Sequence, residues 1–105
     1  MKVHALKDSA GRVYAFEVDN GLLTRNTALK IVSAIPGVKV LRIPKIFDSN
    51  EEFAEFELDG VLFKIWEPFG DNSRYWVGPD PAKWCEQVAV VREAFVQHKV
   101  LGMFG

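Results

Sequence analysis

The chain has 105 residues, of which 49% are hydrophobic and 26% charged, and its formal net charge is −1. This length suits a single domain spanning residues 1–105, and the composition is far from that of disordered chains. A lone cysteine excludes an intrachain disulfide, and no apolar stretch approaches the roughly 20 residues needed to cross a bilayer. Residues 1–10 also lack the uninterrupted apolar run of a secretion signal, so we expect a cytoplasmic protein.

The first part of the chain predicts a hairpin followed by a helix and a strand. Residues 3–6 and 13–18 are rich in β-forming side chains and are separated by a short turn. Thr24 can cap a helix over residues 25–35, where apolar side chains recur at helical spacing. Residues 38–43 then predict a third strand.

The best-determined local element is a second hairpin around Asp59 and Gly60, a pair that suits a type I′ turn. The turn fixes the register of the flanking strands, because each step outward pairs one residue with another. On the apolar face the expected pairs are Leu58 with Val61, Phe56 with Phe63 and Ala54 with Ile65. On the opposite face they are Glu57 with Leu62, Glu55 with Lys64 and Phe53 with Trp66.

The last part predicts one more strand and a long helix. Residues 74–77 follow a loop over residues 67–73, and Asp80 with Pro81 can start a helix that reaches about residue 100. Its apolar stripe, expected to be buried, consists of Trp84, Val88, Val91 and Phe95.

These elements predict an α+β fold. The predicted order of elements is ββαββ(β)βα. In such a fold the helices can form a second layer that covers one face of the sheet. We therefore expect a two-layer sandwich, an antiparallel sheet of five to six strands with two helices on one face.

Known catalytic and cofactor patterns are missing from the sequence. It has two histidines and one cysteine, which is too few for a typical zinc site, and no glycine-rich phosphate loop. Cys85 near the start of the last helix is better explained as a small buried side chain than as a nucleophile. We therefore predict no metal, no cofactor and no catalytic residues, and we favour a non-enzymatic role.

Candidate binding residues cluster around the loop at residues 67–73. Aromatic rings mixed with polar side chains are typical of recognition surfaces. The candidate ligand- or partner-binding residues are Phe53, Leu62, Trp66, Glu67, Phe69, Asp71, Arg74, Trp76 and Arg92.

We expect a small binding or protein-interaction module that self-associates through its sheet face. Phe53, Leu62 and Trp66 would form an exposed apolar patch there, which a second copy or residues 101–104 must cover. One alternative is a small enzyme or ligand-binding protein with a pocket between loop 67–74 and the C-terminal helix, lined by Asp71, Arg74 and Arg92.

A further alternative is a nucleic-acid binder that uses the basic run at residues 25–45. Its basic residues are Arg25, Lys30, Lys39, Arg42 and Lys45. The net acidic charge and the acidic segment at residues 48–59 argue against a nucleic-acid partner, since the two segments can pair locally.

Overall fold

The computed structural model describes residues 2–19, 21, 23–43, 52–67 and 74–98. The described elements are, in chain order, β1 (Val3–Lys7), β2 (Val13–Asp19), α1 (Arg25–Ser33), β3 (Val38–Arg42), β4 (Glu52–Leu58), β5 (Val61–Trp66), β6 (Arg74–Pro79) and α2 (Glu86–Gln97). Neither of these helices is long and apolar enough to cross a membrane.

The strands form one open sheet with the order β1-β2-β6-β5-β4-β3, and each neighbouring pair is antiparallel. Helix α2 packs on β1 and β2, α1 packs on β3 and β4, and the two helices touch each other. Both helices therefore lie on the same side of the sheet. This arrangement confirms the predicted α+β sandwich.

The core lies between the sheet and the helices. Its largest fully buried side chains are Phe16, Phe53, Phe56, Phe63, Phe95, Ile65, Val18, Val32, Val77, Val88 and Val91. Aromatic rings meet there edge to face, as Phe16 and Phe95 do at 5.5 Å between centroids. The side chains that alternate with these residues, both polar and apolar, lie on the opposite side of the sheet.

Helix α1 begins at the predicted cap. The Thr24 hydroxyl accepts a hydrogen bond from the Thr27 N–H at 3.1 Å, which satisfies one of the free donors of the first turn. The helix ends at Ser33, two residues before the expected end, and Gly37 has a φ of 88° as the chain turns into β3. Glycine tolerates this left-handed conformation without steric cost.

The β4–β5 hairpin has the predicted turn, with positive φ values of 52° at Asp59 and 79° at Gly60. The pairs nearest the turn are confirmed, including Phe56 with Phe63 and Ala54 with Ile65.

The register changes at the far end of β4, where Glu52 and not Phe53 lies opposite Trp66. The prediction for Phe53 was wrong because a one-residue bulge moves it to the other face. Phe53 is fully buried, in edge-to-face contact with Tyr75 at 5.1 Å.

Helix α2 begins later than the sequence predicts. The Asp80 N–H donates to the Leu62 carbonyl at 2.9 Å, so the chain is still tied to β5 where the helix was expected to begin. Cys85 is the N-cap, and Trp84, predicted to be buried, is 44% exposed. The prediction is confirmed for Val88, Val91 and Phe95, while residues beyond His98 lie outside the described part of the chain.

Candidate functional site

The sheet face opposite the helices carries two neighbouring tryptophans. Trp66 on β5 lies directly across from Trp76 on β6, and their ring centroids are 6.0 Å apart in an edge-to-face arrangement. Leu62 shares this face through the alternation along β5, and Arg74 does so along β6. We call the surface formed by Leu62, Trp66, Arg74 and Trp76 the tryptophan face.

Small residues make room for Trp76. A Cβ atom at position 78 would lie 2.7 Å from the Trp76 Cη2 atom and 2.7 Å from the Ala15 Cβ atom. The Trp76 ring therefore lies over the Gly78 backbone, in a space that any larger residue would fill. A glycine inside a strand often marks such a close approach.

Ion pairs border the tryptophan face on the side of β1 and β2. The Arg74 Nη1 atom is 3.1 Å from a Glu17 carboxylate oxygen, and its Nε atom is 3.4 Å from Asp19. His4 Nε2 lies 3.0 Å from the same Asp19 oxygen. This border therefore contains both acidic and basic groups.

A second group of charges is centred on Lys64, which lies between Leu62 and Trp66 on the same face of β5. The Lys64 Nζ atom lies 3.4 Å from Glu52 and 3.3 Å from Asp80. Hydrogen bonding to Asp80, and then to Glu52, raises the pKa of Lys64 above its usual value. The ammonium group is accordingly held in its charged form between two carboxylates.

Glu67 lies on the side of the sheet that faces the helices and not on the tryptophan face. The Arg25 guanidinium donates to one Glu67 carboxylate oxygen from Nε at 2.8 Å and from Nη2 at 2.7 Å. The same guanidinium lies 4.6 Å from the centre of the Phe53 ring. Glu67 and Phe53 thus anchor the start of α1, with Phe53 fully buried and the Glu67 side chain 14% exposed.

Tyr75 completes this cluster under the sheet. Its hydroxyl donates to the Leu23 carbonyl at 2.8 Å. The pKa of Tyr75 is raised to about 12, chiefly by burial and also by the Glu67 carboxylate, while Arg25 opposes the rise. The phenol is therefore a neutral donor that ties the segment before α1 to β6.

The predicted pocket between loop 67–74 and α2 is not formed from Arg74 and Arg92. Arg74 is on the open face of the sheet, whereas Arg92 is on α2, which covers the other face. The buried Arg92 Nε atom has no hydrogen-bond partner among the described residues. Phe69 and Asp71 lie outside the described ranges, as does most of the loop itself.

The residues that sequence reasoning missed are small or charged side chains around the tryptophans. They are His4, Ala15, Glu17, Asp19, Glu52, Lys64, Gly78 and Asp80. Gly78 was the one available signal, since an isolated glycine in a strand indicates close packing. The acids of β2 gave no signal, because their approach to Arg74 depends on pairing between distant strands.

Within the ranges the structure describes, no group of three or more His, Cys, Asp or Glu side chains could hold a metal ion. Cys85 caps α2 without a side-chain hydrogen bond and packs partly against the core. Comparisons with protein-family models, curated proteins and solved structures find no match to this chain.

Proposed function

We propose that this chain is a protein-interaction module that forms a homodimer through its tryptophan face. The observation that carries the proposal is the Trp66–Trp76 pair, half-buried at the middle of a sheet face on which neither described helix packs. Tryptophan is enriched among the side chains that dominate binding energy, particularly near the centre of an interface.

The surroundings of the pair support a macromolecular partner. An apolar centre bordered by charged residues is the usual anatomy of a protein interface. The tryptophan face and its edges hold both signs of charge, with Arg74 beside Glu17 of β2 and Lys64 beside Glu52 of β4. Two copies can therefore associate without placing a large region of one charge sign opposite the same region of the second copy.

The size of the face is adequate for a second copy. Six strands about 4.8 Å apart, each about five residues long at about 3.3 Å per residue, span on the order of 500 Å² in plan. A standard interface buries about 800 Å² of accessible surface on each partner. The accessible area of the face is larger than this projected area, because side chains protrude from the sheet. A dimer interface would therefore use the whole face together with the charged residues at its edges.

A nucleic-acid partner gains less support from the basic residues. Arg25 is paired with Glu67, while Lys39 and Arg42 of β3 lie opposite Glu57 and Glu55 of β4. A phosphate contact at any of these three residues would thus compete with a nearby carboxylate.

The test is the mass of the protein in solution, measured by light scattering over a concentration series. We expect the wild type to be a dimer and Trp66→Lys to be a monomer, because the substitution places an ammonium group at the centre of the interface. Trp66 is preferable to Trp76 for this purpose, since Trp76 also packs on Gly78 within its own sheet.

The matched control is Trp84→Lys, the same substitution at an exposed tryptophan in the segment before α2. This variant should remain a dimer. A wild type that stays monomeric at the highest concentration reached, or equal dissociation of both variants, would contradict the proposal.

A further inference from the structure

An apolar groove runs between α1 and α2 on the side of the molecule away from the tryptophan face. Its volume is about 760 Å³, within the range of small-molecule sites in proteins. The apolar residues that line it include Ala34, Ile35 and Pro36 from the end of α1 and Ala89, Val90 and Ala94 from α2. Val90 is 48% exposed, and Ala34 is exposed as well. The alanines keep the groove open, because longer side chains at these positions would fill it.

Two polar side chains of α2 give the groove a negatively charged edge. Glu93 and Gln97 both line it, and the Gln97 amide donates to one Glu93 carboxylate oxygen at 2.6 Å. This hydrogen bond orients both side chains and leaves the second carboxylate oxygen and the Gln97 carbonyl oxygen as acceptors for a ligand. Among the described residues that line the groove there is no Lys or Arg. The groove therefore combines apolar walls with hydrogen-bond acceptors and a negative charge.

The ends of both helices add to this negative charge. Ala34, the C-cap of α1, and His98, the C-cap of α2, both line the groove. The C-terminal end of a helix carries a partial negative charge, because its last carbonyl groups have no donor within the helix. The last turn of α2 contains no basic side chain that would offset this charge. A cation is therefore favoured at this end of the groove.

We propose that the groove binds a small amphipathic cation, a molecule with an apolar body and a primary ammonium group. The apolar body lies against Val90 and Ala94, and the ammonium group donates to the Glu93 carboxylate and the Gln97 carbonyl oxygen. Along α2, Val90 and Gln97 are about 10 Å apart at about 1.5 Å per residue, a distance that a decyl chain can span.

The charge of the site selects this ligand over others with the same apolar body. A carboxylate ligand would place its charge beside Glu93 and the C-terminal ends of two helices, where it is repelled. The groove lies on the helix side of the sheet, so this proposal does not depend on dimerisation through the tryptophan face.

The test is an NMR titration of the full chain, labelled with ¹³C at its alanine methyl groups, with decylammonium below its micelle concentration. The methyl resonances of Ala34 and Ala94 should shift, and that of Ala10, an exposed residue of the β1–β2 turn, should not. Decanoate should bind about threefold to tenfold more weakly at low salt, because it exchanges an attraction for a repulsion. Equal affinities for the two ligands, or unchanged resonances at Ala34 and Ala94, would overturn the proposal.

Substitutions at the surface of the groove show which residues are responsible. Glu93→Gln should bring the affinities for decylammonium and decanoate close together. The matched control is Glu86→Gln, which removes the same charge from an exposed position in the first turn of α2, outside the groove, and should preserve the difference. An equal loss of selectivity in both variants would assign the preference to net charge and overturn the proposal.

A second pair of variants tests the apolar walls. Ala34→Leu should weaken decylammonium binding by filling the groove, whereas Ala10→Leu should leave it unchanged. Equal binding by both variants would contradict the proposal. Shifts of the Ala34 and Ala94 methyl resonances that follow protein concentration and not decylammonium would assign the groove to a second copy instead. Repeating the titration in a Trp66→Lys background separates these shifts from association through the tryptophan face.

Discussion

At the scale of single residues, Gly78 decides where Trp76 can lie. We expect Gly78→Ala to destabilise the protein by about 1 to 3 kcal/mol, because its Cβ would overlap both the Trp76 ring and Ala15. Urea unfolding measures the loss, and a change in tryptophan fluorescence should accompany it as the Trp76 ring moves.

Gly21→Ala is the control for that substitution. Gly21 is exposed, and a Cβ added there meets no atom within 4 Å. Its effect should therefore stay within about 0.5 kcal/mol, as for most surface substitutions. An equally small effect at position 78 would show that Trp76 has another orientation available.

Tyr75 links stability to alkaline pH. Burial favours the neutral phenol, so the pKa in the folded chain is about 12 against an ordinary value of 10.0. The unfolded chain therefore loses this proton first, and the stabilisation, complete below about pH 10, is lost as the pH rises towards 12. We expect the unfolding free energy to fall across this interval.

Tyr75→Phe should remove this component of the pH dependence. It should also cost about 0.5 to 1.5 kcal/mol at neutral pH, because the Leu23 carbonyl loses its donor. Unfolding in urea at several pH values compares the wild type with this variant, and Tyr14→Phe controls for loss of the other tyrosine hydroxyl. An identical alkaline slope in wild type and Tyr75→Phe would refute the assignment.

At the scale of elements, sequence patterns correctly predicted the features that depend on interactions between residues close in sequence. Thr24 marked the start of α1, and the Asp59–Gly60 turn set the pairs nearest to it, because both depend on residues a few positions apart. The stripe of Val88, Val91 and Phe95 followed from helical spacing alone.

The errors arose where tertiary contacts overrode the local pattern. At Phe53 the alternation along β4 breaks, because a bulge lets the ring enter the core beside Tyr75 and Arg25. Asp80 was expected to cap α2, yet its backbone continues the ladder with Leu62 and its side chain pairs with Lys64. Neither partner is close to Asp80 in sequence, so no local signal could have indicated them.

At the scale of the whole molecule, the candidate site could be predicted only in part. The sequence identified Trp66, Trp76 and Arg74 as surface candidates, because alternation and composition single them out. It could not place Glu17 and Asp19 beside Arg74, since that contact depends on the ladder between β2 and β6. Pairing between strands so distant in sequence has no turn to fix its register.

That ladder also has a consequence for how the chain folds. Among the described strands, β2 with β6 is the pair whose members are not neighbours in sequence, so it joins a β1–β2 hairpin to a β3-to-β6 meander. Local pairings close short loops, whereas this one must close a loop of about 60 residues, which costs entropy and slows folding. We expect the meander to form early and the join with β2 to come late.

In stopped-flow kinetics, Gly60→Ala in the β4–β5 turn should then mainly slow folding, and Val18→Ala in β2 should mainly speed unfolding. The reverse pattern would place the join between β2 and β6 in the folding nucleus. The two variants thus tell whether the folding rate is set by the meander or by the seam between β2 and β6, the seam at which Trp76 itself pairs with Glu17.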